Sequence, residues 1–600
     1  MLLKKGEEMN NISNPVIYEI DYSNEAVNSL EAEILQEEGS NAKYLLDYPT
    51  VYIVHDEKKD HKFSVYIGET SDIRQRTKQH LVEDPKKRED WESLANSEDS
   101  KMYIIGHDYF NKSLTLDIEN KFMMYMSSID SVQSVYNRRT NQQKEYYTAD
   151  KLDEIFSKIW RRLRKRNKAL FPVEKIIKDS ALFKASPFHK LSDEQIRAKD
   201  KIILKIMEAL TRNQTGELIL VAGEAGSGKT VLMSSLFYEL KQLAQEESEN
   251  IVLQKANSYL LVNHEQQLKV YQQISNKLGI TSKQVPNLVS KPTTFINNHT
   301  PEEKADVVIV DEAHLLWTQG KQSYRGNNQL YDLMNRAKVV VAVFDINQVL
   351  TTEQYWEEEE LLNLEHEVNL KGNLIRLENQ MRINASRNTV EWIRSMIDDK
   401  KIDPIVQDIK GYDLKIFESP EELHQAIKER SKDENSGISR ITATFDWEYV
   451  DKREPENDDY WRVKIGDWSL PWNLQLPQTK EQKRKNRNLS WAEQEHTVNE
   501  VGSTFTIQGF DLNYAGVIIG PSVKYRNGEI VFDRNSSQNK KATRQRTLKN
   551  GKKEQFSEML LKNELNVLLT RGVNGLYIYA VDEELQKALL YAAKGLKQNE

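Results

Sequence analysis

Cysteine is absent from all 600 residues, which removes disulfides, thiolate zinc sites and a cysteine nucleophile and makes a reducing cytosol the natural compartment. Long apolar runs are missing too. No stretch reaches the roughly 18 residues of a membrane-spanning helix, and after Lys4 and Lys5 the amino terminus turns polar and acidic with no signal-peptide core. The expectation is a cytoplasmic protein that neither crosses a membrane nor is exported. Net positive charge is also lacking: the formal balance is −8, so any nucleic-acid surface has to be a local patch on an acidic molecule. What the chain has in quantity is charge, at 29% of residues against 38% hydrophobic, and enough length for about three or four domains.

Residues 223–230 read GEAGSGKT and match the phosphate-binding pattern G-x-x-x-x-G-K-[ST]. The preceding run Leu218 to Ala222 is apolar and partly β-branched, as a buried strand is, and Val231 to Leu240 reads as a helix. Strand, loop and helix come in the order that wraps a triphosphate in backbone N–H groups at a helix amino terminus, with glycines permitting the close approach. Gly223, Glu224, Ala225, Gly226, Ser227 and Gly228 form the expected cradle, Lys229 reaches the β- and γ-phosphates, and Thr230 ligates Mg²⁺. A second apolar run, Asp306 to Val310, ends in Asp311-Glu312-Ala313-His314. Two adjacent carboxylates at the end of a buried strand suit ATP hydrolysis, with Asp311 holding the ion, usually through water, and Glu312 activating the attacking water. ATP and Mg²⁺, or Mn²⁺, are the expected cofactors.

Further segments follow in the order of a superfamily-1 helicase, which the region resembles. Gln195 lies upstream of the phosphate loop, where that superfamily reads the adenine edge. The run Val339 to Phe344 ends in Asp345-Ile346-Asn347-Gln348, similar to the motif whose glutamine senses the γ-phosphate, and Leu377 to Arg382 is similar to the motif that supplies one cation, Arg382. Thr506, Gln508 and Gly509 stand in a segment resembling motif V, and Asn566 to Arg571 resembles motif VI, whose arginine finger would be Arg571. Together these segments look like the Schlafen-like branch of superfamily-1 ATPases, over residues 185–595. The resemblance implies two RecA-like lobes sandwiching ATP and ATP-driven work on nucleic acid.

The amino-terminal part carries a different pattern. Val51 to Val54 and Phe63 to Gly68 read as a hairpin around a polar turn, and Ser71 to Leu81 as a helix capped by Ser71 or Asp72. Thr50-Val51-Tyr52 and Tyr66-Ile67-Gly68, followed by Arg76, His80, Glu119 and Asn137, resemble the GIY-YIG nuclease family in content and order, with Thr50 where that family has glycine. The resemblance implies that Glu119 holds a divalent ion, Arg76 neutralises the scissile phosphate, Tyr52 is the general base, and Tyr66 and His80 position the attack.

The expected fold class is therefore α/β, a small GIY-YIG domain followed by two RecA-like P-loop lobes. The boundaries are an extension over 1–45, the nuclease-like domain over 46–145, a basic helical connector over 146–190, lobe 1 over 191–375 and lobe 2 over 376–600 with a Trp-rich insertion at 446–495. Three stretches stay open. The run Trp160 to Arg166 reads equally as a solvated helix face or a phosphate grip. Half of the ten tryptophans, Trp447, Trp461, Trp468, Trp472 and Trp491, are interleaved with the basic run Lys480 to Arg487 and read as lobe core ahead of a stacking platform. Lys540 to Lys553 reads as a flexible basic loop able to touch a nucleic-acid backbone, and Glu357 to Glu360 as an acidic surface run.

The first function expected is an ATP-dependent nuclease acting on DNA ahead of RNA, in bacterial defence against invading DNA, with a homo-oligomer or a defence-system protein as further partner. The alternatives are a nucleotide-gated nucleic-acid-binding switch with an inactive nuclease domain, and an RNA-cleaving nuclease.

Overall fold

The computed structural model describes residues 12–58, 61–137, 146–223, 226–245, 248–281, 287–321, 324–378, 382–433, 438–451, 453–487 and 489–596. The chain divides into two compact units, residues 1–190 with 272–286, and residues 191–271 with 287–600. No helix among the described residues is long and apolar enough to cross a membrane.

The first unit is built on a five-stranded sheet. Its strands are β1 (Val16–Asp21), β2 (Thr50–Lys58), β3 (Lys62–Thr70), β4 (Ser100–Gly106) and β5 (Val132–Val135), in the order β1-β4-β2-β3-β5. All neighbours are antiparallel except β3 and β5. β1 comes from the stretch read as an extension, so those residues supply the sheet's edge. The helix Leu152–Arg166, in the stretch read as a connector, buries Ile155, Phe156, Ile159, Trp160 and Leu163. From its other side Lys158, Arg162 and Arg166, one every fourth residue and therefore on one face, donate to the carbonyls of Ile12, Pro15 and Ile17. Of the basic run Trp160 to Arg166, Arg162 and Arg166 thus cover backbone acceptors beside the sheet edge.

The second unit holds two sheets that are parallel throughout. Strands β6 (Glu217–Gly223), β7 (Ser258–Val262), β8 (Val289–Ser290), β9 (Ala305–Asp311), β10 (Ala337–Phe344) and β11 (Leu374–Leu377) pair in the order β11-β6-β10-β9-β7-β8. β6, β9 and β10 are nearly unbroken apolar runs because a parallel sheet is covered on both faces. The carboxyl edge of this sheet, where ligands collect in open α/β folds, carries Gly223, Asp311 and Asp345.

The other sheet begins with β12 (Asp413–Ile416) and β13 (Arg440–Ala443). A hairpin of β14 (Arg462–Ile465) and β15 (Trp468–Pro471) interrupts it before β16 (Val501–Gly502) and β17 (Leu512–Ile519). Two more hairpins, β18 (Val523–Arg526) with β19 (Glu529–Phe532) and β20 (Arg546–Thr547) with β21 (Lys553–Glu554), precede β22 (Gly572–Ala580). The sheet order is β12-β22-β17-β13-β16. Trp468, Trp472 and Trp491 are buried in its core, with Trp447 and Trp461 packed beside them.

The basic tract 540–553 is structured. It contains the helix Lys540–Thr543 and strand β20, and three of its cations bond residues between 318 and 360. Arg546 is buried and donates to the Thr352 carbonyl at 2.6 Å and the Thr318 hydroxyl at 2.9 Å. Arg544 pairs with Glu353, Lys549 with Glu360 at 2.6 Å, and the Lys549 amide donates to Glu357 at 2.9 Å. The acidic run and the basic tract thus meet at Lys549.

Candidate functional site

Gly228, with φ 75°, caps the helix Lys229–Leu243, and Gly226 before it has φ 90°. Both lie in the left-handed region that glycine adopts without strain. A Cβ on Gly228 would also stand 2.1 Å from the Gln195 side-chain nitrogen. Gln195 is held by a capping box with Ser192, and its amide donates to the carbonyls of Ser227 and Gly228, both at 3.3 Å. It therefore braces the loop from below. Glu224 and Ala225 lie outside the described residues. Lys229 is buried, with Nζ 2.6 Å from the Gly223 carbonyl and 3.4 Å from Asp345 Oδ2.

The carboxylate of Asp311, at the end of β9, is clamped. Tyr271 donates to Oδ2 at 2.6 Å, Gln267 to the same oxygen at 2.7 Å, and the Glu312 amide to Oδ1 at 3.0 Å. Complete burial and the adjacent Glu312 push its pKa up to about 7 against the pull of these donors and of Lys229. Glu312 sits at φ 52°, a conformation unfavourable for a residue with a Cβ, and this turns its Oε2 to within 3.2 Å of His314 Nε2. Burial keeps His314 below the usual histidine range, so the neutral ring faces the carboxylate. Tyr271 also reaches the Thr230 carbonyl at 3.4 Å.

Amino ends of the second sheet meet these groups. Arg571, just before β22, is fully buried and donates to Gln348 Oε1 at 2.9 Å. Gln348 in turn donates to Asp345 Oδ2 at 2.7 Å, so Lys229, Asp345, Gln348 and Arg571 form one continuous chain. Burial, then the neighbouring Arg382, lower the Arg571 pKa to about 10. Arg382 pairs with Asp511 at 2.6 Å. Gln508 donates to the Gln348 carbonyl at 3.2 Å, and Asn563 and Asn566 to carbonyls of residues 346–349. Gly509 has φ 83°, and a Cβ there would stand 3.2 Å from Gln267 Oε1. Of the residues the sequence singled out, the structure thus brings together Gln195, Lys229, Asp311, Glu312, Gln348, Arg382 and Arg571. Gln267 and Tyr271 were not singled out. Nor was His264, which burial holds to a pKa of about 4 beside Glu312 and Arg571.

A second cluster lies in the first unit. Tyr52 on β2 faces Gly68 on β3, and a Cβ on Gly68 would stand 2.3 Å from the Tyr52 hydroxyl oxygen and 2.4 Å from its ring, so the glycine makes room for the tyrosine. The Tyr52 hydroxyl is 2.8 Å from His80 Nε2, and His80 Nδ1 bonds Asp84. Because a carboxylate only accepts, the proton belongs on Nδ1 and Nε2 is left to accept from Tyr52. Tyr66 stacks on Tyr52 with ring centres 6.1 Å apart, and Arg76 lies against both hydroxyls. Burial, then Tyr66, raise Tyr52 well above its ordinary pKa, whereas burial and Arg76 hold His80 near 4. Glu119 and Asn137, both buried, are hydrogen-bonded to each other at 2.5 Å, and Asn137 donates to the Ile67 carbonyl at 2.6 Å. Thr50 opens β2 opposite Thr70 in ordinary extended backbone, so its position does not require glycine. Asp84 was missed, although its i+4 spacing from His80 was a usable signal.

A family model described as the Schlafen group 3 DNA/RNA helicase domain matches residues 216–582, from the start of β6 to just past β22. The chain belongs to that family. An uncharacterized protein of Saccharomyces cerevisiae is 34% identical to it over 440 residues, 67% of this chain and 91% of the yeast protein. Among solved structures, that of PRRSV helicase is similar over 63% of this chain at 12% identity and a TM-score of 0.26, and the chain spans 56% of its length. The Schlafen group 3 helicase domain implies ATP hydrolysis with Mg²⁺ and binding of nucleic acid.

This chain's residues fit that pair of ligands. Lys229, with a carbonyl and a carboxylate as its present partners, is a buried cation at a helix amino terminus. Asp311, buried against a second carboxylate, is a group that a divalent ion would return to full ionisation.

Proposed function

We propose that the chain is an ATP-driven motor on nucleic acid joined to a metal-dependent endonuclease of GIY-YIG type, cutting DNA ahead of RNA. Its two parallel sheets are read as the two RecA-like lobes. The observation that carries the motor reading is the buried chain from Lys229 through Asp345 and Gln348 to Arg571, which links the phosphate loop to a cation of the second sheet. Bound Mg²⁺–ATP would supply the transferable phosphoryl group and the metal charge that spreads over it. Lys229 would exchange Gly223 and Asp345 for phosphate oxygens, Glu312 would orient water and take its proton with His314 beside it, and Arg571 would offset the charge developing on the phosphoryl oxygens.

The nuclease reading rests on the Tyr52, His80 and Asp84 relay beside Arg76. With Tyr52 raised and His80 neutral, water would pass a proton to the tyrosine oxygen as its own proton moves to His80 Nε2. Among the described residues no group of three or more His, Asp or Glu could hold a metal. Glu119 would then be a single protein carboxylate for an ion that keeps water and phosphate in its remaining positions, the usual Mg²⁺ habit. The setting in defence against invading DNA rests on the GIY-YIG and Schlafen-like resemblance alone.

The test is a pair of variants assayed on labelled DNA and RNA with Mg²⁺ and ATP. Lys229→Ala should abolish ATP turnover. Glu119→Ala should keep turnover, with its stimulation by nucleic acid, and lose all cleavage; cutting by Glu119→Ala would sink the nuclease assignment. A turnover indifferent to any nucleic acid would favour a self-contained switch instead.

A further inference from the structure

The helix Glu265–Lys277 turns one face to Asp311 through Gln267 and Tyr271. On an adjacent face Gln266 and Lys269 line a cavity of about 260 Å³, closed on its far side by Gln478, Lys483, Arg487 and Gln494. Lys483 lies on the exposed helix Lys480–Asn486, within the basic run that the ATP site leaves unexplained. Among the described residues no carboxylate lies within ion-pair distance of Lys483 or Arg487, and Glu265, which lies one turn before Lys269 and feels its charge, is paired with Lys291 instead. The basic tract 540–553 differs, since Arg544 and Lys549 there are each answered by a glutamate. The amides here are already ordered: Gln478 donates to Gln494 at 3.1 Å and lies 3.2 Å from His496, while Asn486 donates to Gln478 at 3.2 Å. No exposed ring lines the cavity, so stacking on bases is not its chemistry.

Three cations set on aliphatic walls formed by Val270, Leu474 and Leu489 repel one another, and a polyanion removes that cost. The geometry points to a groove that binds the phosphodiester backbone of a nucleic-acid strand and reports its occupancy along the helix Glu265–Lys277 to Asp311. Gln266 and Lys269 sense the strand, and Gln267, the next residue after Gln266, adjusts its bond to the carboxylate. This rests on the motor reading above and names where its track lies.

The experiment uses the full chain and fluorescein-labelled oligo(dT) and oligo(rU), with anisotropy read over a salt series. Lys269→Glu and the double variant Lys483→Glu/Arg487→Glu should each weaken binding at least tenfold. The slope of log affinity against log salt should become shallower by about 0.7 for each phosphate left unneutralised. Lys587→Glu, which matches the charge change of Lys269→Glu on another helix, and Lys587→Glu/Lys594→Glu, which matches that of the double variant, should bind as wild type does. Gln267→Ala should bind the strand normally and turn over ATP more slowly, and the ratio of its turnover with strand to that without should fall to one. If wild type binds and the groove variants match their charge-matched controls, the groove is wrong while the motor reading stands. If wild type binds neither polymer, both fall. Retained stimulation in Gln267→Ala overturns the reporting role of the helix.

Discussion

Tyr271 shows what a single hydroxyl is asked to do. It donates to a buried carboxylate at 2.6 Å and has no solvent to replace that bond. Tyr271→Phe keeps the ring and removes the donor, so turnover should fall about 10–100-fold, the range for partners that orient a metal-binding group. The Mg²⁺ concentration giving half-maximal turnover should rise with it; a drop in turnover at unchanged Mg²⁺ dependence would mean a different role. The residues of the candidate site were legible to different degrees. Lys229, Asp311 and Glu312 follow apolar strands at fixed spacing, so their chemistry is written next to their structure. Gln267 and Tyr271 are spaced i and i+4 on a helix, as any pair sharing a face would be, and only the approach of that helix to β9 gives them a task. His80 and Glu119 could be matched to a family pattern, but the relay through Asp84 needed coordinates.

At the scale of elements, the helix Ser557–Leu569 carries a buried acid, Glu564, whose oxygens accept from the Phe445 amide at 2.5 Å and from Asn539 at 3.4 Å. Burial, and then Asp446, raise its pKa to about 8. Between the ordinary carboxylate range and pH 8 the folded protein therefore holds a proton that the unfolded chain has lost, so stability is highest on the acidic side of this window and falls as pH rises through it. Thermal unfolding should shift downward between pH 5 and 8, and Glu564→Gln should flatten that dependence. Each kcal/mol lost moves Tm by about 2–4 °C in a domain of some 150–250 residues. An equal pH slope in the variant would show that other groups set it. Apolar periodicity made the parallel strands readable before any coordinates. It could not reveal that Arg544, Arg546 and Lys549 answer Glu353, Thr352 and Glu360, because those pairings join segments nearly two hundred residues apart. The helix Leu152–Arg166 is a similar case, since its composition suits solvent and three of its cations are used on the carbonyls of Ile12, Pro15 and Ile17.

At the scale of the molecule, the two units are not consecutive in the chain. Residues 272–286 belong to the first unit although they interrupt the second. Ile274 and Leu278 are buried there, and Lys277 donates to the Ile129 carbonyl at 2.7 Å. Deleting residues 1–190 should therefore expose apolar side chains, giving less soluble protein and a lower Tm than the same deletion carrying Ile274→Ser and Leu278→Ser; equal yields and equal melting would refute this. The helix Glu265–Lys277 begins in one unit and ends in the other, with Gln267 and Tyr271 in its first half. A cassette can be moved between proteins because its chain enters and leaves once. This amino-terminal unit is entered twice, the second time through the helix that holds Asp311, so gene rearrangements that swap it would have to rebuild the clamp on that carboxylate as well.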